Sequence, residues 1–252
     1  MSFAYTLTGP IGGRATLGLI ALQADETIEH DFRRLLPVDD VALYVSRVPS
    51  GLEVTGDTLA AMSQDLPSAA ALFPRSVAFD VVGYGCTSGT SVIGTGRVAA
   101  LVHHGCKTRQ VTEPLSALVA ACGHLGVSKL AFLSPYIASV SSSLRDALAD
   151  AGIECPKFGS FDEAEEARVA RIDPQSIAAA AIELGGAQDA EAVFLSCTNL
   201  RTLDVLSQIE AELGKPVLSS NQVLAWDIAR RAGIELNAGT DMGCLLAGRN
   251  RP

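Results

Sequence analysis

Two segments of the chain repeat one pattern, in which an apolar run stops abruptly and is followed by a cysteine and a threonine. The segments are GYGCTSG (83–89) and FLSCTNL (194–200), which contain Cys86 and Cys197 at a separation of 111 positions. Two other pairs keep nearly the same spacing, LGLIAL (17–22) with LAFLSP (130–135) and VTEPLSALVAA (111–121) with VLSSNQVLAWD (217–227). Three correspondences in the same order indicate that the chain consists of two similar halves.

Short apolar runs alternate with longer segments whose apolar residues recur every three or four positions, which is typical of strands alternating with helices. This alternation predicts an α/β fold with parallel sheets and right-handed crossovers. The predicted strands are 17–22, 41–46, 77–82, 110–112, 129–133, 192–195 and 216–218. The predicted helices include 115–125, 140–151, 174–184 and 203–213, with start signals at Asp57, Asp173 and Thr202 and terminal glycines at Gly126, Gly152, Gly214 and Gly233.

From the internal repeat we expect two pseudo-symmetric lobes, each a parallel sheet flanked by helices. Residues 1–114 with 218–252 are predicted to form the first lobe, and residues 115–217 the second. Ligands of open α/β sheets bind beyond the carboxyl ends of the strands. Because both cysteines follow predicted strands, they are expected on opposite walls of one cleft between the lobes.

The composition excludes several classes of partner. A net charge of −9 argues against binding of nucleic acid. No apolar run approaches the ~20 residues of a membrane span, and residues 1–13 lack the features of a signal peptide. The chain is therefore predicted to be cytoplasmic, with its six cysteines as reduced thiols. The scattered histidines indicate no metal site. GYGCTSG is out of step with the dinucleotide-binding fingerprint, so no cofactor is predicted.

A strand-to-helix turn rich in small residues exposes backbone N–H groups and adds the positive end of a helix. Donors of this kind are expected at Thr87 and Ser88 after the first cysteine, and at Thr198 and Asn199 after the second. Such loops hold carboxylates and are expected to lower the pKa of the adjacent thiol. That equipment suits proton transfer on the carbon next to a carboxylate. The remaining cysteines stand outside the repeated motif and are expected to be ordinary buried residues: Cys106, Cys122, Cys155 and Cys244.

Four motifs resemble the maleate cis-trans isomerase and arylmalonate decarboxylase branch of the aspartate/glutamate racemase superfamily. They are GCTSG around Cys86, SPY (134–136), SCTNLRTLD (196–204) and PVLSSNQVLAWD (216–227). The resemblance covers nearly the whole chain and implies two α/β lobes, a cleft between them and no metal or organic cofactor. It also implies that Cys86 and Cys197 form the catalytic pair and that the hydroxyl of Tyr136 helps to hold a carboxylate.

Members of this superfamily use the cysteines differently. In the racemases one thiolate removes the α-proton while the other, protonated, delivers a proton to the opposite face. In the isomerases the first cysteine attacks the alkene carbon and the second handles the proton. The decarboxylases have glycine in place of the first cysteine, so the presence of Cys86 argues against plain decarboxylation.

The chain departs from the maleate isomerases at two positions. Asp25 stands where those isomerases typically carry a carboxylate-binding asparagine, and Glu166 aligns with a second one. An acidic side chain repels a carboxylate but attracts an ammonium group. The substrate is therefore expected to be an amino acid or an amine-bearing acid. DETIEHDFRR (25–34) is also similar to proteins associated with ectoine breakdown, where an isomerase or racemase of a diaminobutyrate derivative would fit.

These features predict a cofactor-independent isomerase or racemase that uses two cysteines for proton transfer next to a carboxylate of a small amino acid or derivative. Maleate cis-trans isomerisation is an alternative. A decarboxylase or a noncatalytic sensor of small acids is another. A homodimer or homotetramer is expected, with no nucleic-acid or membrane partner.

Overall fold

The computed structural model describes residues 1–37, 39–237, 239 and 241–248, in which strands and helices alternate. The strands are β1 (Ala15–Leu22), β2 (Val41–Val48), β3 (Phe79–Gly85), β4 (Thr108–Thr112), β5 (Lys129–Ser134), β6 (Glu154–Ser160), β7 (Ala192–Leu195) and β8 (Val217–Ser219). The helices are α1 (Ile28–Leu35), α2 (Gly56–Ala71), α3 (Thr87–Ile93), α4 (Thr95–Gly105), α5 (Pro114–Leu125), α6 (Ala138–Asp150), α7 (Glu166–Val169), α8 (Pro174–Gly185), α9 (Leu206–Leu213) and α10 (Ser220–Ala232).

The strands form two four-stranded sheets with the same connectivity. Their orders are β2-β1-β3-β4 and β6-β5-β7-β8, and every pairing is parallel. The central strands β1 and β7 are buried along their whole length, as expected when helices cover both faces of a parallel sheet. The predicted α/β fold with two lobes is confirmed, and the matching strand orders agree with the internal repeat.

The last helix of each half covers the sheet of the other half. Helix α5 follows β4 but packs its apolar face on β5, β7 and β8 of the second sheet. Helix α10 follows β8 but contacts β3 and β4 of the first sheet. The predicted lobe boundaries at residues 114 and 218 stay a prediction. Strand β8 crosses the second boundary, since it runs from Val217 to Ser219, and it pairs with β7 of the second sheet.

Several predicted boundaries differ from the structure. Thr55, not Asp57, caps α2, because its side chain accepts the N–H of Thr58. The carbonyl oxygen of Thr202 accepts the N–H of Val205 in a turn, and α9 starts only at Leu206. The predictions that Asp173 caps α8 and that Gly126 ends α5 are confirmed.

Strand β6 was not predicted from the sequence. It has the composition ECPKFGS and is largely exposed at the edge of its sheet. An edge strand tolerates proline and glycine because one side of its backbone needs no partner. In the described part of the chain no helix is long and apolar enough to cross a membrane.

Candidate active site

Both repeated cysteines lie at the carboxyl ends of central strands and line one cavity between the lobes. Cys86 directly follows β3, and Cys197 follows β7 by two residues. The cavity has a volume of about 20 Å³, which is space for about one water molecule. Its polar wall consists of Asp25, Ser50, Glu53, Thr58, Cys86, Ser88, Tyr136, Glu166, Cys197 and Thr198. The cavity thus combines two thiols with buried carboxyl groups.

The hydroxyl of Ser220 joins the two cysteine loops. It accepts the backbone N–H of Cys197 at 3.0 Å and the hydroxyl of Thr87 at 2.8 Å. A second link runs in the other direction, from the hydroxyl of Thr198 to the carbonyl oxygen of Gly85 at 3.3 Å. These buried contacts fix the relative positions of the loops. Sequence analysis missed Ser220, although its position directly after β8 was a usable signal.

Cys86 occupies the cap position of α3. Its sulfur accepts the N–H of Gly89 at 3.1 Å. A Cβ at position 89 would lie 2.7 Å from that sulfur and 2.9 Å from the Tyr84 hydroxyl, so any larger residue would have to displace these side chains. Burial raises the pKa of the Cys86 thiol to about 12, with the N–H of Gly89 acting in the opposite direction.

Cys197 has an unusual backbone conformation, with φ at +116°. Non-glycine residues rarely adopt positive φ, and such strain is concentrated at functional sites. The Cys197 sulfur accepts the N–H of Asn199 at 3.3 Å and lies 3.0 Å from the Tyr136 hydroxyl, where either atom can donate. Burial raises the pKa of this thiol well above its usual value, and the charge of Glu166 adds to the rise.

The prediction that the loops lower the pKa of both thiols is therefore wrong for the closed cavity. Loss of hydration penalises the thiolate more than the nearby N–H groups stabilise it. Both thiols are neutral in this state. An acceptor for the proton or a compensating positive charge in the cavity would favour the thiolate.

Glu166, the first residue of α7, is buried against the second cysteine loop. One carboxylate oxygen accepts the Tyr136 hydroxyl at 2.6 Å, and the other accepts the Asn199 side-chain amide at 2.7 Å. Burial raises the pKa of Glu166, while these two hydrogen bonds oppose the rise. The backbone N–H of Glu166 donates to the carbonyl oxygen of Leu52 in the first lobe, so the backbone at this residue also ties the lobes together.

Asp25 follows β1 and is 3% exposed. Its Oδ1 accepts the N–H groups of Thr27 and Ile28, both at 2.8 Å. Its Oδ2 has no hydrogen-bond partner among the described residues. Burial is the main influence on the pKa of Asp25 and raises it, while the nearby Thr198 hydroxyl acts in the opposite direction. That hydroxyl donates its own hydrogen bond to the carbonyl oxygen of Gly85. An unpartnered buried carboxylate oxygen therefore lies at the cavity wall.

The other predicted site residues divide into two groups. Ser88 and Thr198 line the cavity. Thr87 and Asn199 lie just behind the wall, where the Asn199 amide oxygen accepts the N–H of Glu26 at 2.8 Å. Sequence analysis also missed the apolar side of the cavity, formed by Leu22, Val54, Leu59 and Met62. The described residues contain no group of three or more His, Cys, Asp or Glu side chains placed to hold a metal ion.

The fold and the cavity define the class of two-lobed α/β proteins of the maleate isomerase and arylmalonate decarboxylase type. The sequence model of the arylmalonate decarboxylase family matches residues 106–245. The match covers more than half of the chain, which therefore belongs to this family.

Individual relatives agree with this assignment. The maleate isomerase of Geobacillus stearothermophilus is 23% identical over 248 residues, covering 92% of this chain and 97% of the relative. The arylmalonate decarboxylase of Bordetella bronchiseptica is 32% identical over 110 residues, covering 43% of this chain and 46% of the relative. The maleate isomerase of Pseudomonas putida S16, in a complex with maleate, has a TM-score of 0.79 at 20% identity and covers 93% of this chain and 98% of its own.

A Nocardia farcinica maleate cis-trans isomerase carrying a covalently bound succinylcysteine intermediate has a similar fold. Its TM-score is 0.80 at 22% identity, with 92% of this chain and 98% of that chain covered. At this level of identity the likeness shows the fold alone.

Proposed function

We propose that the protein is a cofactor-independent two-cysteine isomerase of the racemase type, acting next to a carboxylate of a small amine-bearing acid. One observation carries the proposal. Cys86 and Cys197 come from equivalent loops of the two halves and line the same cavity. Two acids placed on opposite walls are what inversion at a carbon centre needs, because one removes a proton while the other delivers one.

The site suits a carbanion-like transition state. Removal of a proton next to a carboxylate moves negative charge onto the carboxylate oxygens. Fixed N–H donors stabilise such charge best where water is excluded. The N–H groups of Thr87 and Ser88 precede the hydrogen-bond pattern of α3 and are available for this purpose. The N–H of Thr198 lies in the equivalent loop, where the N–H of Asn199 already donates to the Cys197 sulfur.

The amine-bearing substrate is inferred from Asp25. Its unpartnered Oδ2 would accept a hydrogen bond from an ammonium group, and the added positive charge would favour the ionised carboxylate. A carboxylate at the same point would meet a like charge or force Asp25 to stay protonated. The dianion maleate, with no donor of its own, does not satisfy Oδ2.

A substrate of this size does not fit the present cavity of about 20 Å³. The lobes must therefore part for substrate to enter and close around it afterwards, which expels water from the reacting carbon. We also propose a cytoplasmic enzyme that forms a homodimer or homotetramer. Size-exclusion chromatography with light scattering tests the assembly.

The decisive experiment is proton exchange in D₂O with single enantiomers of amine-bearing acids, beginning with aspartate, glutamate, 2,4-diaminobutyrate and its N-acetyl derivatives. A two-base enzyme places solvent deuterium in the product enantiomer while the remaining substrate keeps its proton. Cys86→Ala and Cys197→Ala are each expected to lower inversion by at least about 10³-fold, the scale of a lost acid–base group. Cys122→Ala is the matched control and should retain activity, because Cys122 lies on the buried face of α5 in the apolar core.

If both active-site variants invert a substrate of the wild-type enzyme at the wild-type rate, the two-cysteine proposal fails. Maleate isomerisation is the second candidate, favoured by the match to 97% of a maleate isomerase. Formation of fumarate from maleate, followed by ultraviolet absorbance, distinguishes it. Strong turnover of maleate would overturn the inference drawn from Asp25.

A further inference from the structure

Glu166 lines the cavity, as expected of a substrate-binding residue, but it also has hydrogen-bond partners within the protein. Both of its carboxylate oxygens already accept hydrogen bonds from the protein, one from Tyr136 and the other from Asn199. An incoming donor would have to share an oxygen with one of these short, buried contacts. The carboxylate is also connected to the Cys197 sulfur through a single hydroxyl group, that of Tyr136.

We propose that Cys197, Tyr136 and Glu166 form a proton relay in which Glu166, acting through Tyr136, takes the proton of the Cys197 thiol. The thiol S–H bond breaks as a new O–H bond forms at Tyr136, and the original phenol proton passes to Oε1 of Glu166. The products are a thiolate, a neutral tyrosine and a neutral carboxylic acid. Net charge is unchanged, and no other reactant is needed.

The geometry suits a concerted transfer. The Tyr136 oxygen lies 3.0 Å from the sulfur and 2.6 Å from Oε1 of Glu166, both within hydrogen-bond reach. All three side chains are buried, so solvent is a poor competitor for the proton. Tyr136 passes a proton without ionising, which agrees with the raised pKa of its phenol.

The charges around the relay explain why such an acceptor is needed. Glu166 and Asp25 both raise the pKa of the Cys197 thiol, so a thiolate formed beside an ionised Glu166 is doubly disfavoured. Moving the proton onto Glu166 removes the charge with the larger effect on the Cys197 thiol. The remaining titratable groups of the cavity wall are Cys86 and Glu53, and Arg47 attracts Asp25. None of them forms a hydrogen bond with the Cys197 sulfur.

Cys86 has no equivalent device. Its sulfur accepts the N–H of Gly89 and lies near the Tyr84 hydroxyl, whose bond partner is the sulfur of Met62 at 3.6 Å. No carboxylate stands behind Tyr84 in the described hydrogen-bond network. The relay therefore assigns Cys197 as the thiol that ionises first, and Cys86 as the proton donor in the same turnover.

The inference deepens the proposed function, but its test needs no substrate. The rate at which Cys197 reacts with a small thiol reagent, methyl methanethiosulfonate, is measured against pH by mass spectrometry of the peptide that contains it. If Glu166 holds the proton, the wild-type rate rises with pH and then levels off above the pKa of Glu166. Beyond that point the proton is only redistributed between the two groups.

Glu166→Gln removes the acceptor, so its rate should rise about tenfold per pH unit without levelling off. Glu165→Gln is the matched control, because the Glu165 side chain is next in sequence to Glu166 but exposed. The pH profile of this variant should match that of the wild type. Glu166→Asp should restore the plateau in part. Tyr136→Phe should lower the plateau rate at least about tenfold, because the bridging hydrogen bonds are lost.

A wild-type profile that rises about tenfold per pH unit throughout would overturn the relay, whether or not the variants fold. So would a plateau that persists in Glu166→Gln. A plateau in a protein that inverts none of the tested acids would keep the relay and count against the proposed substrates. Inversion of a tested acid without a plateau would support the proposed function and overturn the relay.

Discussion

Thr87 and Ser220 are hydrogen bonded through their hydroxyl groups at 2.8 Å, which joins the loop of Cys86 to the first residue of α10. Because Ser220 also accepts the N–H of Cys197, one side chain sets the relation between both cysteine loops. All of these groups are buried. The precision of the cleft therefore depends on a residue that does not itself line the cavity.

Ser220→Ala should destabilise the protein by about 1–3 kcal/mol, because it leaves the N–H of Cys197 and the hydroxyl of Thr87 buried without an acceptor. Chemical denaturation measures this change. Ser142→Ala is the control: its hydroxyl is exposed and bonds only locally, to Ser139, so its effect should stay within about 0.5 kcal/mol. Equal effects of the two substitutions would contradict the bridging role.

The positive φ of Cys197 makes an unusual prediction for stability. Glycine adopts this conformation without strain, so Cys197→Gly should be more stable than Cys197→Ala by about 1 kcal/mol. At Cys122, inside α5, the order should reverse, because glycine costs a helix roughly 1 kcal/mol relative to alanine. Urea unfolding of the four variants decides the point. If Cys197→Ala is the more stable variant at position 197, as the alanine variant is expected to be at position 122, then Cys197 is not strained.

Asp25→Asn should change ligand preference with little change in stability. The asparagine side-chain oxygen can still accept the N–H groups of Thr27 and Ile28, while an amide donor replaces the unpartnered Oδ2. We expect weaker binding of amine-bearing acids and at least about tenfold tighter binding of maleate, a charge-assisted contact. Isothermal titration calorimetry with both ligands measures this. Asp57→Asn, an exposed site on α2, should leave both affinities unchanged.

Asp31 should make stability depend on pH. Burial is the main cause that raises its pKa from 3.8 to about 7, while the Asn221 amide and Arg34 oppose the rise and Asp25 and Asp204 add to it. A pKa raised in the folded state means that the contribution is full below about 3.8 and is lost as pH rises through about 7. Stability should therefore fall across this window by roughly a few kcal/mol, since a shift of one pKa unit corresponds to about 1.4 kcal/mol.

Asp31→Asn keeps an acceptor for Asn221 and removes the titration. Its denaturation midpoint should vary less between pH 4.5 and pH 8 than that of the wild type. Asp146→Asn, at an exposed position of α6, should keep the wild-type slope. A slope that survives in Asp31→Asn would assign the pH dependence to other groups.

Much of the architecture follows from sequence patterns. The strands that precede the two cysteines are largely apolar, so β3 and β7 could be predicted together with the α/β fold. Strand β6 could not, because an edge strand with half-exposed residues lacks the burial pattern on which such predictions depend. The cap of α2 was misplaced because Thr55 and Asp57 are both good capping residues, and only the backbone decides between them.

The site was less accessible to sequence reasoning. Its residue types indicated thiols beside carboxyl groups, but the pKa of each thiol depends on how completely the opposite lobe excludes water. The partners of Glu166 illustrate the same limit. Tyr136 and Asn199 come from separate strand ends, and their contact with one carboxylate arises only from the packing of the second sheet. Long-range packing of this kind leaves no local pattern.

The exchange of α5 and α10 between the halves makes the two sheets depend on each other. Each sheet is covered in part by a helix that comes from the other half of the chain. Separating the halves would therefore expose apolar surface on both pieces, and neither half is expected to be stable alone.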